Sequence, residues 1–201
     1  MSDDLNNETK SWIDAWNRRG EFGRRNQQDR KIVETETARE WARSLKTKFN
    51  FDITDIRSSE SDPPDCTAMN GNRCISIELA ELVDQDRINA RVKAVEAGTE
   101  PPEYHGEAFG KTQWTIDRFH NHLNSLLDNK HHKYLRRGQQ FDVLLVHTGE
   151  PWLLPIHVQN WLSSLVFAPR STFVSAFFIM TYDPSFSNCW PVFQLFGELY
   201  S

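Results

Sequence analysis

The tripeptide Asn70-Gly71-Asn72 lies between two short runs, 66–69 and 73–82, and the second run alternates Ile75, Ile77 and Leu79 with Ser76, Glu78 and Ala80. An apolar residue at every second position predicts a strand, and Asn-Gly between two such runs is the strongest short-range signal for a β-hairpin. The loop then sets the register. Cross-strand partners sum to 141 if the loop is Asn70-Gly71 and to 143 if it is Gly71-Asn72, and Asp65 and Glu78 sum to 143. Either way the two acids project from one face of the hairpin. In the second register they are directly opposed, with Cβ atoms about 5 Å apart, and in the first they are diagonal neighbours at about 7 Å. A three-residue loop or a bulge would reverse the parity. Carboxylates this close repel each other unless a proton or a cation lies between them. Mg²⁺, which takes oxygen ligands from one or two carboxylates plus waters, suits such a pair. The alternative is a surface hairpin whose two acids are simply solvated.

Around the hairpin the chain alternates helical and extended patterns. Residues 9–19 and 28–48 read as helices, the second with Glu34, Ala38, Trp41 and Leu45 on one stripe. An acid therefore heads an otherwise apolar face. Residues 49–56, with Phe49, Phe51 and Ile53 alternating, read as a strand, and 58–64 as a turn. Residues 84–95 and 112–134 are expected helices, the longer with Ile116, Phe119, Leu123, Leu126 and Leu127 inward. Residues 141–146 look like a strand buried on both faces. A helix over 156–167 and strands over 173–182 and 192–196 complete the order. Gly, Pro and Glu interrupt all periodicity over 96–110, the nearest thing to a linker. The expectation is an α/β protein with a mixed central sheet flanked by helices, built as one domain over 1–201. Within it, 1–27 would be an N-terminal helical extension, 28–147 the core, and 148–201 a C-terminal helix and strands.

Composition narrows the classes. No apolar run approaches the roughly 20 residues that a spanning helix needs, and the start Met-Ser-Asp-Asp has no apolar stretch behind it, so the expected location is the cytoplasm without membrane contact. Cys66, Cys74 and Cys189 are odd in number and lack Cys-x-x-Cys spacing, which argues against both a disulfide framework and a zinc site. The net charge of −5 conceals segregation: residues 18–48 carry ten basic and five acidic side chains, and 111–137 carry six basic against Asp117 and Asp128. Residues 78–107 reverse this, with eight acidic and three basic. Such a layout can build a basic face for a polyanion beside an acidic pocket for a cation, although solvated helix faces would look the same. Gly-x-Ser-x-Gly, P-loop and dinucleotide-binding patterns are all missing from the sequence.

Asp62-Pro63-Pro64-Asp65, the hairpin, and Ile75-Ser76-Ile77-Glu78-Leu79-Ala80 together resemble the core of the PD-(D/E)XK nuclease superfamily, the restriction-endonuclease-like fold. The resemblance runs from about Lys31 to Val146 and implies an α-β-β-β-α-β core. It makes Asp65 and Glu78 the metal-binding acids, the Leu79 carbonyl a further ligand, and Glu34 a match to the acid many members carry on the first core helix. Mg²⁺ or Mn²⁺ would be the cofactor and nucleic acid, DNA foremost, the partner. A homodimer would suit cleavage of both strands.

The sequence departs from the family at one decisive position. The Lys of the acid-x-Lys motif falls on Ala80, which can neither orient water nor stabilise charge. Some members supply that Lys from a neighbouring element. Lys130 lies fourteen, seven and three residues after Ile116, Leu123 and Leu127, on their stripe. A Lys continuing an apolar face needs a partner, or else it snorkels to the helix end. Gln113 and Glu81 are further candidates. The resulting expectation is a metal-dependent nuclease using Asp65, Glu78, Lys130 and Glu34. Its rival is an inactive descendant that binds nucleic acid or protein, and a third reading is an interaction protein using Trp152, Trp161 and Trp190. His120-Asn121-His122 places two His about 200° apart on a helix, unsuited to one metal. His131 and His132 could touch phosphate, and His147 reads as a core or rim residue.

Overall fold

The computed structural model describes residues 27–84, 93, 97–98, 114–150 and 153–197. The expected helix at 9–19, most of that at 84–95 and of the 96–110 segment, Gln113 and Trp152 lie outside them. A six-stranded mixed sheet in the order β1-β2-β3-β4-β5-β6 carries α1 (Gln27–Phe49), α2 (Ile116–Leu135) and α3 (Pro155–Leu162). Its strands are β1 (Ile53–Ser58), β2 (Cys66–Asn70), β3 (Arg73–Glu81), β4 (Phe141–Thr148), β5 (Phe173–Met180) and β6 (Val192–Gly197). β1, β2 and β3 form an antiparallel meander, β4 and β5 run parallel to β3, and β6 returns antiparallel.

Two apolar clusters cover the two faces. On one, Ala38, Trp41 and Leu45 of α1 pack on Ile75, Ile77 and Leu79 of β3 and on Val143 and Leu145 of β4. Trp41 is fully buried, with its ring 5.3 Å from that of Phe177. On the other face, Phe119, Leu123, Leu127 and Tyr134 of α2 meet Ala80, Leu144, Val146 and Phe178. The central strands β4 and β5 are apolar on both sides because helices cover both.

Three local features fix the edges. Asn50, at φ +52°, ends α1 in the left-handed conformation with its N–H donating to Lys46 O at 3.1 Å. Phe49 is therefore the last helical residue and is exposed, and the strand expected from 49 begins only at Ile53. Its alternation with Phe51 and Ile53 spans a helix end, a cap and a strand start. The hairpin loop is Gly71-Asn72: Asn70 pairs with Arg73 and Cys66 with Ile77. Gly71 takes φ +57° at the first loop position, as a type II′ turn requires. Third, Thr115 caps α2 by accepting the Arg118 N–H at 3.2 Å, so the helix starts at Ile116 rather than 112. The last helix is also shorter than expected and ends at Leu162.

Candidate functional site

The observed register is the one that sums to 143, so continuing the β2–β3 ladder one step beyond Cys66 brings Asp65 opposite Glu78. Asp65 precedes β2 and is buried; its Oδ2 accepts the Leu79 N–H at 2.8 Å, and its Oδ1 accepts from Arg30 Nη2 at 3.2 Å. Burial, and next the charge of Glu78, hold the Asp65 carboxyl above its ordinary pKa, against the pull of Leu79 N–H, Lys130 and Arg30.

Glu78 is 1% exposed. Its Oε1 accepts from Lys130 Nζ at 2.7 Å and from the Tyr134 hydroxyl, while Oε2 is buried with no hydrogen-bond partner among the described residues. The Lys130 ammonium also donates to Leu79 O at 2.7 Å. Thus the side chain that continues the apolar stripe of α2 does not snorkel away: it ends on the acid and the carbonyl of β3. Ala80 packs into the core beneath α2. Lys133 donates to the Tyr134 hydroxyl at 2.9 Å and lies 4.6 Å from its ring centre. Burial, then neighbouring Lys130, pushes the Lys133 ammonium below its ordinary pKa, and burial with Glu78 pushes the Tyr134 phenol up.

Glu34 enters from α1. Arg30 Nε donates to its Oε1 at 2.6 Å, so one guanidinium bridges Glu34 and Asp65. Burial and the nearby Asp65 charge outweigh that bond and push the Glu34 carboxyl up to about 7. Between Arg30, Glu34, Ser61, Asp62 and Asp65 is a cleft of about 30 Å³. That is room for roughly one or two water-sized species.

Among the described residues no group of three or more His, Cys, Asp or Glu side chains is arranged to hold a metal ion. The site offers two carboxylates and a carbonyl instead. Those donors are all hard oxygens, and Glu78 Oε2 is a buried carboxylate oxygen lacking a donor among the described residues, so their chemistry suits a hard divalent cation.

The other candidates lie elsewhere. Glu81 is three residues beyond Glu78 on β3 and faces the opposite side. His120 packs edge-on against Phe167 and His122 against Trp114, so they diverge. His131 Nδ1 is 3.0 Å from Thr172 Oγ1, and His147 is buried on β4. Trp190 is buried, and Trp161 is half-buried with part of its ring packed on the core. Of the basic segments, Arg30, Lys31, Lys130 and Lys133 surround the acids, whereas Arg39 and Arg43 pair with Glu36 and Glu40 along α1. Sequence reasoning missed Arg30 and Tyr134. Both stand four residues from a recognised candidate, Glu34 and Lys130, on the same helix, and that spacing was the available signal.

Compared with known proteins, the chain matches no family model, no curated protein and no solved structure.

Proposed function

We propose that the protein is a metal-dependent phosphodiesterase of the PD-(D/E)XK type that hydrolyses nucleic acid, DNA foremost. The observation that carries the reading is Lys130, whose ammonium reaches Glu78 Oε1 and Leu79 O at 2.7 Å each beside Asp65. A Lys delivered from α2 supplies the group that Ala80 lacks. The element order and the antiparallel meander followed by a parallel crossover support a restriction-endonuclease-like core.

Asp65, Glu78 and the Leu79 carbonyl would hold Mg²⁺ or Mn²⁺. Bound there, the ion supplies Lewis acidity for in-line attack of water on phosphorus. An ammonium has three donors, and two of those of Lys130 are used among the described residues, which leaves one N–H for a phosphate oxygen or the attacking water. Glu34, with its pKa near 7, can hold or release a proton at neutral pH. Arg30 keeps Glu34 and Asp65 at a fixed separation, and Lys31 and Lys133 add positive charge for the backbone. A two-fold dimer would cut both strands of a duplex.

The test is incubation of purified protein with single- and double-stranded DNA and RNA, with Mg²⁺, Mn²⁺ or chelator, beside Asp65→Ala and Glu78→Ala. Metal-dependent cleavage lost in both variants is the expected result. Cleavage unchanged in either variant overturns the site, and nucleic-acid binding without cleavage under any metal assigns the chain to the inactive, binding branch of the fold.

A further inference from the structure

The geometry points to Tyr134 as a positioning residue that fixes the Glu78 carboxylate so that one oxygen is left for a cation. This rests on the metal-dependent reading above and deepens it.

A glutamate on a strand has a terminal torsion that is broad and roughly two-fold, so nothing intrinsic selects which oxygen faces a ligand. Here the selection is made by two donors on one atom. Lys130 Nζ and the Tyr134 hydroxyl both bond to Oε1, and Oε2 receives nothing among the described residues although it is buried. A buried carboxylate oxygen without a partner costs free energy, and two donors stacked on its twin do not relieve that cost. A cation at Oε2 would. Lys130 alone fixes the carboxylate poorly, because an ammonium on four methylenes rotates freely and must serve Leu79 O as well. Tyr134 is the rigid member. It is fully buried, its ring meets Phe141 edge-to-face at 4.8 Å and Phe173 at 6.1 Å, and its hydroxyl in turn accepts from Lys133 Nζ at 2.9 Å. With Lys133 Nζ donating to Tyr134 Oη, the hydroxyl's own proton turns to the acceptor in place, Glu78 Oε1. The relay Lys133 to Tyr134 to Glu78 is thus an orienting shell around a ligand, the arrangement that normally tunes metal sites.

Tyr134→Phe removes the hydroxyl and keeps the ring packing. Titration calorimetry with Mn²⁺ alone should show affinity reduced about 10-fold or more, the usual effect of deleting an orienting partner. In cleavage assays kcat should fall while KM for DNA stays within about twofold of wild type, since a buried phenol does not meet the substrate. Lys133→Met, which leaves the aromatic packing intact, should lower Mn²⁺ affinity in the same direction by less, and it carries the test if Tyr134→Phe fails to fold. Wild-type Mn²⁺ affinity in whichever of the two variants is folded overturns the inference. Glu78→Gln separates this failure from that of the parent reading. If Glu78→Gln abolishes Mn²⁺ binding and cleavage while Tyr134→Phe changes neither, only the role of Tyr134 falls; if Glu78→Gln also changes neither, both fall.

Discussion

The Lys130 ammonium lies 2.7 Å from Glu78 Oε1 across 52 residues of sequence, joining a charged side chain of α2 to the buried acid of β3. Breaking a buried ion pair by removing one partner is far worse than replacing both, because the remaining charge keeps its desolvation cost. Lys130→Met should therefore destabilise by roughly 2–3 kcal/mol, below the 3–5 kcal/mol of a fully buried pair because the Lys130 side chain is 21% exposed. Lys130→Met with Glu78→Gln should recover at least half of that loss. Urea unfolding of the two single variants and the double closes the cycle, and strict additivity would refute the coupling.

Stability should carry the imprint of Glu34 as a function of pH. Its carboxyl titrates near 7 in the fold, against an ordinary value of 4.5, because burial and the charges of Asp65 and Asp62 outweigh Arg30. The fold prefers the protonated form, so this contribution is fully present below about pH 4.5 and is lost as pH rises through 7. Glu34→Gln, which mimics the neutral form, should gain on wild type between pH 5 and pH 8, by about 1–3 kcal/mol at the upper end. Chemical denaturation in chelator at the two pH values measures it. An equal difference at both would show that Glu34 titrates normally.

The site was partly legible in the sequence because two of its constraints are arithmetic. Loop length sets hairpin register, so Asp65 and Glu78 could be put on one face before any coordinates, and helical periodicity put Lys130 on the stripe of Leu123 and Leu127. The bridging guanidinium of Arg30 was not legible, since an arginine one turn from a glutamate reads equally well as a solvent-exposed pair. Tyr134 was hidden because it fits an apolar stripe without remark; only its hydroxyl, and what lies beneath it, distinguishes it from Phe. The misplaced start of β1 has a different origin. Alternation of Phe49, Phe51 and Ile53 was a coincidence of spacing across the Asn50 cap, which no two-residue period can register.

The parallel pairing of β3 and β4 depends on a side chain. Asp142 Oδ2 accepts from the Ser76 N–H at 2.8 Å and from Ser76 Oγ at 2.9 Å, and Ser76 Oγ lies 3.0 Å from the Asp142 N–H. Arg73 closes the same carboxylate from the side. Asp142→Ala strands the Ser76 amide, at a cost of about 1–3 kcal/mol. Thermal unfolding should show the loss, and hydrogen exchange at the Ser76 amide should accelerate more than at Ile77 or Leu79. Unchanged exchange would mean that the carboxylate contributes nothing to the strand pair.

Gly197 and Gly71 both take positive φ, and they should respond differently to the same substitution. At Gly71, φ +57° lies in open space, with nothing within 4 Å of an added Cβ. Gly71→Ala should therefore cost about 1–2 kcal/mol, the backbone strain of an L-residue at a glycine-favoured turn position with no clash added. At Gly197, φ is +94° and a Cβ would fall 2.2 Å from Val174 O and 2.5 Å from Ser175 Cα, both backbone atoms that cannot rotate aside. Because Gly197 pairs with Ser175, relief requires β6 to shift away from β5 at the end of the ladder. Gly197→Ala should cost roughly 2–4 kcal/mol, combining backbone strain with a clash against a packed strand. Measured side by side by denaturant unfolding, equal losses would mean that conformation alone governs both sites and that β6 does not approach β5 as closely as its register implies.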